Sequence, residues 1–101
     1  MLIHWSDSAD DDLEKMLDYF REIGSEEVGR EIVSNLFDST DKLITYPLSG
    51  RIGRYFNTRE LVSTSLPYVI VYRLVSPDIV RIMRVIHTSR LFPEFLSTSY
   101  E

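Results

Sequence analysis

The sequence has no cysteine among its 101 residues, which excludes a disulfide scaffold, thiolate metal sites and a cysteine nucleophile. No apolar run approaches the roughly 20 residues that a membrane helix needs. The opening residues, Met1 to Asp7, lack the basic start and apolar stretch of a secretory signal. Phosphate-cradling P-loops, G-x-G-x-x-G turns and H-E-x-x-H pairs are all missing. Both histidines, His4 and His87, lie far apart with no ligand-spaced partner, so neither a metal nor any other cofactor is expected. No serine sits in a nucleophile-elbow context. Neither an internal repeat nor a low-complexity segment interrupts the chain. These absences leave the expectation of a cytoplasmic protein without membrane partners.

What remains has the balance of a single globular domain. Hydrophobic residues make up 44% and charged residues 27%, enough apolar surface for a core without staples. The charge is unevenly divided. Residues 1–50 hold four basic side chains against twelve acidic ones, and residues 51–101 hold seven arginines, no lysine and four acids. The halves therefore carry −8 and +3, giving the net −5. A protein this acidic does not coat nucleic acid by bulk charge. Guanidinium forks, however, suit carboxylates and phosphates, and the asymmetry points to one face for one partner. Acidic helices lying over an arginine-bearing sheet account for it equally well.

Periodicity divides the chain at Pro47. Leu2 to Trp5 reads as a short strand. Ser8 is the expected cap of a first helix, with Asp10, Asp11 and Asp12 at its positive end and Leu13, Met16, Leu17, Phe20 and Ile23 as one apolar stripe. Gly24 stops that helix, and Ser25 starts a second bearing Val28, Ile32, Leu36, Phe37, Leu43 and Ile44. Both stripes read as core. Residues 48–54, with two glycines, read as a loop. Strands follow at Thr58–Ser63, Tyr68–Val75 and Ile79–Thr88, with a turn at Ser76-Pro77-Asp78. Tyr68–Val75 is apolar on both parities, as a central strand buried on two faces would be. The expected fold is α+β, in the order β-α-α-β-β-β, with a helical hairpin packed on a small antiparallel sheet. One domain should span residues 1–96, and residues 97–101 should form a frayed tail.

Arg59, Tyr68, Arg73, Arg81, Arg84, His87 and Arg90 fall on or beside three neighbouring strands. Arginine, histidine and tyrosine together could bind a phosphodiester and move protons. Strict alternation opposes their convergence. It puts Arg84 with Ile82 and Ile86, and Arg81 with Met83, Val85 and His87. Arginines spreading over the sheet margin, or pairing with helix acids, explain the same residues without any chemistry.

Four segments in order carry a family resemblance: Pro47-Leu48-Ser49-Gly50-Arg51, Arg59-Glu60-Leu61-Val62, Leu66 to Arg73, and Ile82 to Arg90. With the opening strand and acidic helical hairpin, residues 2–95 resemble the RelE/ParE toxin superfamily, in particular its ParE, or plasmid-stabilisation, branch. The resemblance implies the same β-α-α-β-β-β fold and the toxin half of a type II toxin–antitoxin pair, neutralised by an antitoxin encoded beside it.

The superfamily divides by mechanism. Ribosome-dependent mRNA endoribonucleases of the RelE type resemble this chain but carry an arginine where Val69 stands, after a lysine-rich strand that is missing here. Valine cannot hold a phosphate. ParE-type toxins inhibit DNA gyrase by binding, trapping its cleaved DNA complex, and that is the role the resemblance implies first. Arg59, Arg73, Arg81, Arg84, Arg90, Phe92 and Phe95 are then the residues expected to meet the target or the antitoxin. Tyr55, Phe56 and Leu91 also suit a groove filled by an antitoxin segment, although Phe92 could instead fold over the second face of the sheet. If the chain is a nuclease acting on mRNA at the ribosome, His87 and Arg84 are its expected catalytic residues. An inactive, antitoxin-binding member of the superfamily is a third possibility.

Overall fold

The computed structural model describes residues 1–63 and 66–88. Strand β1 (Leu2–Trp5) leads into helix α1 (Asp7–Glu22) and helix α2 (Glu26–Thr45); β2 (Arg51–Ile52), β3 (Arg59–Val62), β4 (Tyr68–Ser76) and β5 (Ile79–His87) follow. The strands form one sheet in the order β1-β5-β4-β3-β2. This is the expected α+β fold with two additions. The loop after α2 contains the two-residue strand β2, which pairs antiparallel with β3, and β1 joins the sheet edge parallel to β5. The expected domain end at residue 96 and tail at 97–101 lie outside the described residues.

The cap of α1 is Ser6 and not Ser8. Its Oγ accepts the Ala9 N–H at 3.1 Å and donates to the Met83 carbonyl at 2.9 Å, while its own N–H reaches the Ile82 carbonyl at 3.0 Å. One serine therefore ends the β1–β5 ladder and starts the helix, a role no local helix signal specifies. The other end behaves as read. Gly24 takes a φ of +74°, its N–H reaches the Arg21 carbonyl at 3.2 Å, and the Ser25 N–H reaches the Phe20 carbonyl at 2.8 Å. That paired closure turns the chain directly into α2.

The buried seam of α2 is Gly29, Leu36, Thr40 and Leu43. Gly29 belongs to it because the helices approach closely; a Cβ there would lie 2.9 Å from the Phe20 Cβ. Thr40 stays buried by donating its hydroxyl to the Phe37 carbonyl. The apolar stripe expected to be all core is wider than the contact. Ile23, Val28, Phe37 and Ile44 are exposed, although Phe37 keeps an edge-on contact with Trp5.

The sheet is buried on both faces, as the composition of β4 requires. Tyr68, Ile70, Tyr72, Val80, Ile82 and Val85 meet the helices through Ala9, Leu13, Met16, Leu36 and Leu43. Val69, Val71, Met83 and Ile86 form a second cluster on the far face, against which Tyr55 packs. Burial of each aliphatic side chain contributes about 1.5–3 kcal/mol, so these two clusters dominate the stability of the domain. A bulge corrects the alternation expected of β5. Val71 lies opposite Arg84 and Tyr72 opposite Ile82, so Met83 is the extra residue. Ile82 consequently shares a face with Val85, and Met83 with Ile86.

Candidate binding surface and its arginine framework

The chain from Pro47 to Thr58 is a loop fastened by core side chains. The Tyr72 hydroxyl donates to the Pro47 carbonyl at 2.8 Å and accepts the Gly50 N–H at 2.9 Å. Its pKa is raised above the usual tyrosine value, chiefly by burial. Only glycine fits at position 50, where a Cβ would fall 2.7 Å from the Tyr72 ring and hydroxyl. Arg59 donates to the Leu48 and Gly50 carbonyls at 3.1 and 2.8 Å. Glu60, only 2% exposed, accepts Nε and Nη2 of Arg51 on one oxygen and the Arg54 N–H on the other. A buried carboxylate is tolerable only when paired in this way.

The second half of the loop is held from the same two strands. Thr58 donates its hydroxyl to the Tyr55 carbonyl at 2.8 Å, and the Gly53 N–H reaches the Thr58 carbonyl at 2.8 Å. Arg73 donates to the Asn57 and Phe56 carbonyls at 3.1 and 3.2 Å, across a residue with a φ of +59° at Asn57. Asparagine is among the residues that adopt such a conformation most readily. Between these fasteners Leu48, Ile52 and Phe56 project into solvent, 58%, 82% and 93% exposed.

A concavity of about 510 Å³ lies where α1, α2 and β5 meet. Met16, Phe20, Ile23 and Ile32 supply its apolar wall, with Asp12, Lys15, Arg84 and His87 as its charged and polar lining. β1 pairs with β5 only as far as Ile82. Beyond it, Asp12 takes over the strand edge. Its Oδ2 accepts Arg84 Nε at 2.8 Å and the Val85 N–H at 2.9 Å, and Oδ1 accepts Arg84 Nη2 at 3.1 Å. His87 stands opposite Tyr68, their rings edge-on with centroids 5.2 Å apart.

The residues singled out from sequence thus separate into three groups. Arg84, His87 and Tyr68 line one cavity. Arg59 and Arg73 brace the loop from β3 and β4. Arg81 lies opposite Arg73 and donates to His4 Nδ1 at 3.2 Å. Arg90, Phe92 and Phe95 lie outside the described residues. Sequence reading passed over Glu60, although an acid directly beside Arg59 on β3 was a visible sign of it. It treated Asp12 only as a charge at the positive end of a helix, because its partner lies 72 residues away. Among the described residues, no helix is long and apolar enough to cross a membrane.

Comparison with known proteins agrees with this architecture. The chain is 43% identical over 65 residues to a Sinorhizobium fredii (strain NBRC 101917 / NGR234) protein named "Putative toxin Y4kP", a match covering 64% of this chain and 66% of that relative's length. Its fold is similar to that in a solved structure titled "Chromosomal ParDE TA system from P. aeruginosa", with a TM-score of 0.75 and 19% identity over 86% of this chain and 95% of the other. The family model described as "ParE toxin of type II toxin-antitoxin system, parDE" matches residues 3–92. The chain therefore belongs to the ParE toxin family of type II toxin–antitoxin systems.

Proposed function

We propose that this chain arrests growth by binding DNA gyrase and trapping its cleaved complex with DNA, and that an antitoxin encoded beside it holds it inactive. The observation that carries this reading is Val69. It lies in the central strand, 1% exposed, among Val71, Met83 and Ile86, where the resembling nucleases present an arginine. An aliphatic side chain at that position supplies no charge to a reacting phosphate. A toxin that works by binding needs a surface, and the arginine-braced sheet margin supplies one.

The nuclease reading draws on a different observation, the shared cavity of Arg84 and His87. It is the weaker reading because Arg84 is already engaged by both oxygens of Asp12. A phosphate would have to compete with that bidentate pair.

The test is DNA gyrase supercoiling with purified, antitoxin-free protein, scoring linearised plasmid together with lost activity. Inhibition with trapped cleaved DNA is the expected result. Unimpaired supercoiling by a protein that is folded and arrests growth would shift the assignment to mRNA cleavage at the ribosome.

A further inference from the structure

We infer that the tip of the loop between α2 and β3, carrying Ile52 and Phe56, is the surface that meets the toxin's target, and that the target offers an acidic protein surface with an apolar pocket. The inference rests on the toxin reading but does not require the target to be gyrase. Its basis is a contrast within one segment. The backbone of residues 47–58 is fixed by Tyr72, Arg59, Glu60, Thr58 and Arg73. Two of its apolar side chains nevertheless belong to neither core cluster, Ile52 being 82% and Phe56 93% exposed. Loop residues that complete a core are buried, as Tyr55 partly is against the far-face cluster. Rigid presentation of exposed apolar groups lowers the entropic cost of binding and is the arrangement of an interface anchor.

Charge selects the kind of partner. Residues 48–59 contain Arg51, Arg54 and Arg59 and no acid. Glu60 compensates Arg51, whereas Arg59 donates to neutral carbonyls and forms no salt bridge among the described residues. The tip is thus cationic on a chain of net charge −5, which favours a local acidic surface over a long polyanion. An aliphatic side chain together with one aromatic also suits a protein pocket better than stacked bases, which need flat rings.

The test is the double variant Ile52→Ser/Phe56→Ser. Four readouts accompany it: growth arrest in cells lacking the antitoxin, gyrase supercoiling, antitoxin affinity by calorimetry, and binding of a labelled DNA duplex. Because both side chains face solvent, thermal unfolding should be unchanged. Growth arrest should be lost and gyrase inhibition weakened by about tenfold or more, with antitoxin affinity held within about threefold. Should the double variant fail to fold, the single variant Phe56→Ser, at a side chain 93% exposed, carries the same expectation.

Loss of arrest in the variant, where the wild-type chain arrests growth without inhibiting gyrase, would uphold the loop and remove only the gyrase assignment. A variant as toxic as the wild type overturns the inference and leaves gyrase as the target untouched. Loss of antitoxin affinity would instead assign the loop to the antitoxin. Loss of duplex binding that the wild type possesses would assign it to nucleic acid. A wild-type chain that neither arrests growth nor inhibits gyrase overturns the toxin reading and the loop together.

Discussion

Asp12 on α1 and Arg84 on β5 form a two-point ion pair at 2.8 and 3.1 Å, and the same carboxylate receives the Val85 N–H. The pair stands where β1 has ended and β5 would otherwise present an unpaired edge. A side chain thus does the work of a missing strand, and the bulge at Met83 is what permits it, by changing the alternation beside Arg84.

Asp12→Ala should therefore destabilise the domain by about 2–3 kcal/mol, since it takes a two-point ion pair from a half-buried guanidinium and leaves a backbone N–H without its acceptor. Urea unfolding would measure it. In the double variant with Arg84→Ala the loss should fall short of the sum of the single losses, by about 1 kcal/mol or more. Additive losses would mean that the pair contributes no interaction of its own.

Tyr72→Phe should cost about 1–3 kcal/mol by leaving the Gly50 N–H without its acceptor. It should also change the response to alkali. Burial raises the Tyr72 pKa above 10.0, so near and above pH 10 the unfolded chain loses this proton more readily than the folded one. The stabilisation is therefore complete below the unfolded value and is lost as pH rises through the folded one. Melting temperatures followed from pH 8 to 11 should fall more steeply for the wild type than for Tyr72→Phe. Parallel curves would show that Tyr72 ionises freely in the folded protein.

Gly50→Ala tests the same junction sterically. A methyl group 2.7 Å from the Tyr72 hydroxyl and 3.0 Å from the Glu60 carbonyl must displace one of them. The expected cost is about 1–3 kcal/mol, accompanied by faster amide exchange across residues 50–60. Gly24→Ala is a control of a different kind, because nothing lies within 4 Å of its Cβ position. Its penalty comes only from the positive φ and should leave exchange in the loop unaltered.

These contacts also show how far the sequence could be read. Helical periodicity and the β-former run at Tyr68–Val75 located the two long helices and the central hairpin, because those patterns are set by which face meets the core. The bulge at Met83 left no local sign, and one extra residue reversed the alternation on which the grouping of Arg81 and Arg84 depended. The expected cap at Ser8 gave way to Ser6, since the choice between them is made by the end of β1 and the Met83 carbonyl. β2 is hidden in a glycine-containing loop because Tyr72 and Glu60 impose it from β4 and β3. The arginines were visible as a set, but not their division of labour, which depends on carbonyls 9 to 17 residues away.

Arg81 offers a test of the antitoxin surface that leaves the loop intact. It faces Arg73 across two strands and donates only to His4 among the described residues, so two cations share that margin. An acidic antitoxin segment would relieve their repulsion. Arg81→Glu should weaken the antitoxin complex by about two- to fivefold, the range of one exposed ion pair. The effect should shrink as salt is raised from 0.1 to 0.5 M, because screening acts mainly on such pairs. Affinity insensitive to both changes would place the antitoxin elsewhere.

His87 separates binding from chemistry. At the end of β5 it packs edge-on against Tyr68, which stands opposite it on β4. That contact is hydrophobic and needs no proton transfer. His87→Phe preserves a ring at the position while removing both nitrogens, and it should keep growth arrest within about twofold of the wild type. A general acid or base replaced in this way would lose about a hundredfold or more in rate. Growth arrest, together with the integrity of mRNA on purified ribosomes, would measure the difference. Arrest abolished by His87→Phe in a protein with unchanged thermal stability, with mRNA cleaved on ribosomes by the wild type and left intact by the variant, would make the cavity shared with Arg84 an active site.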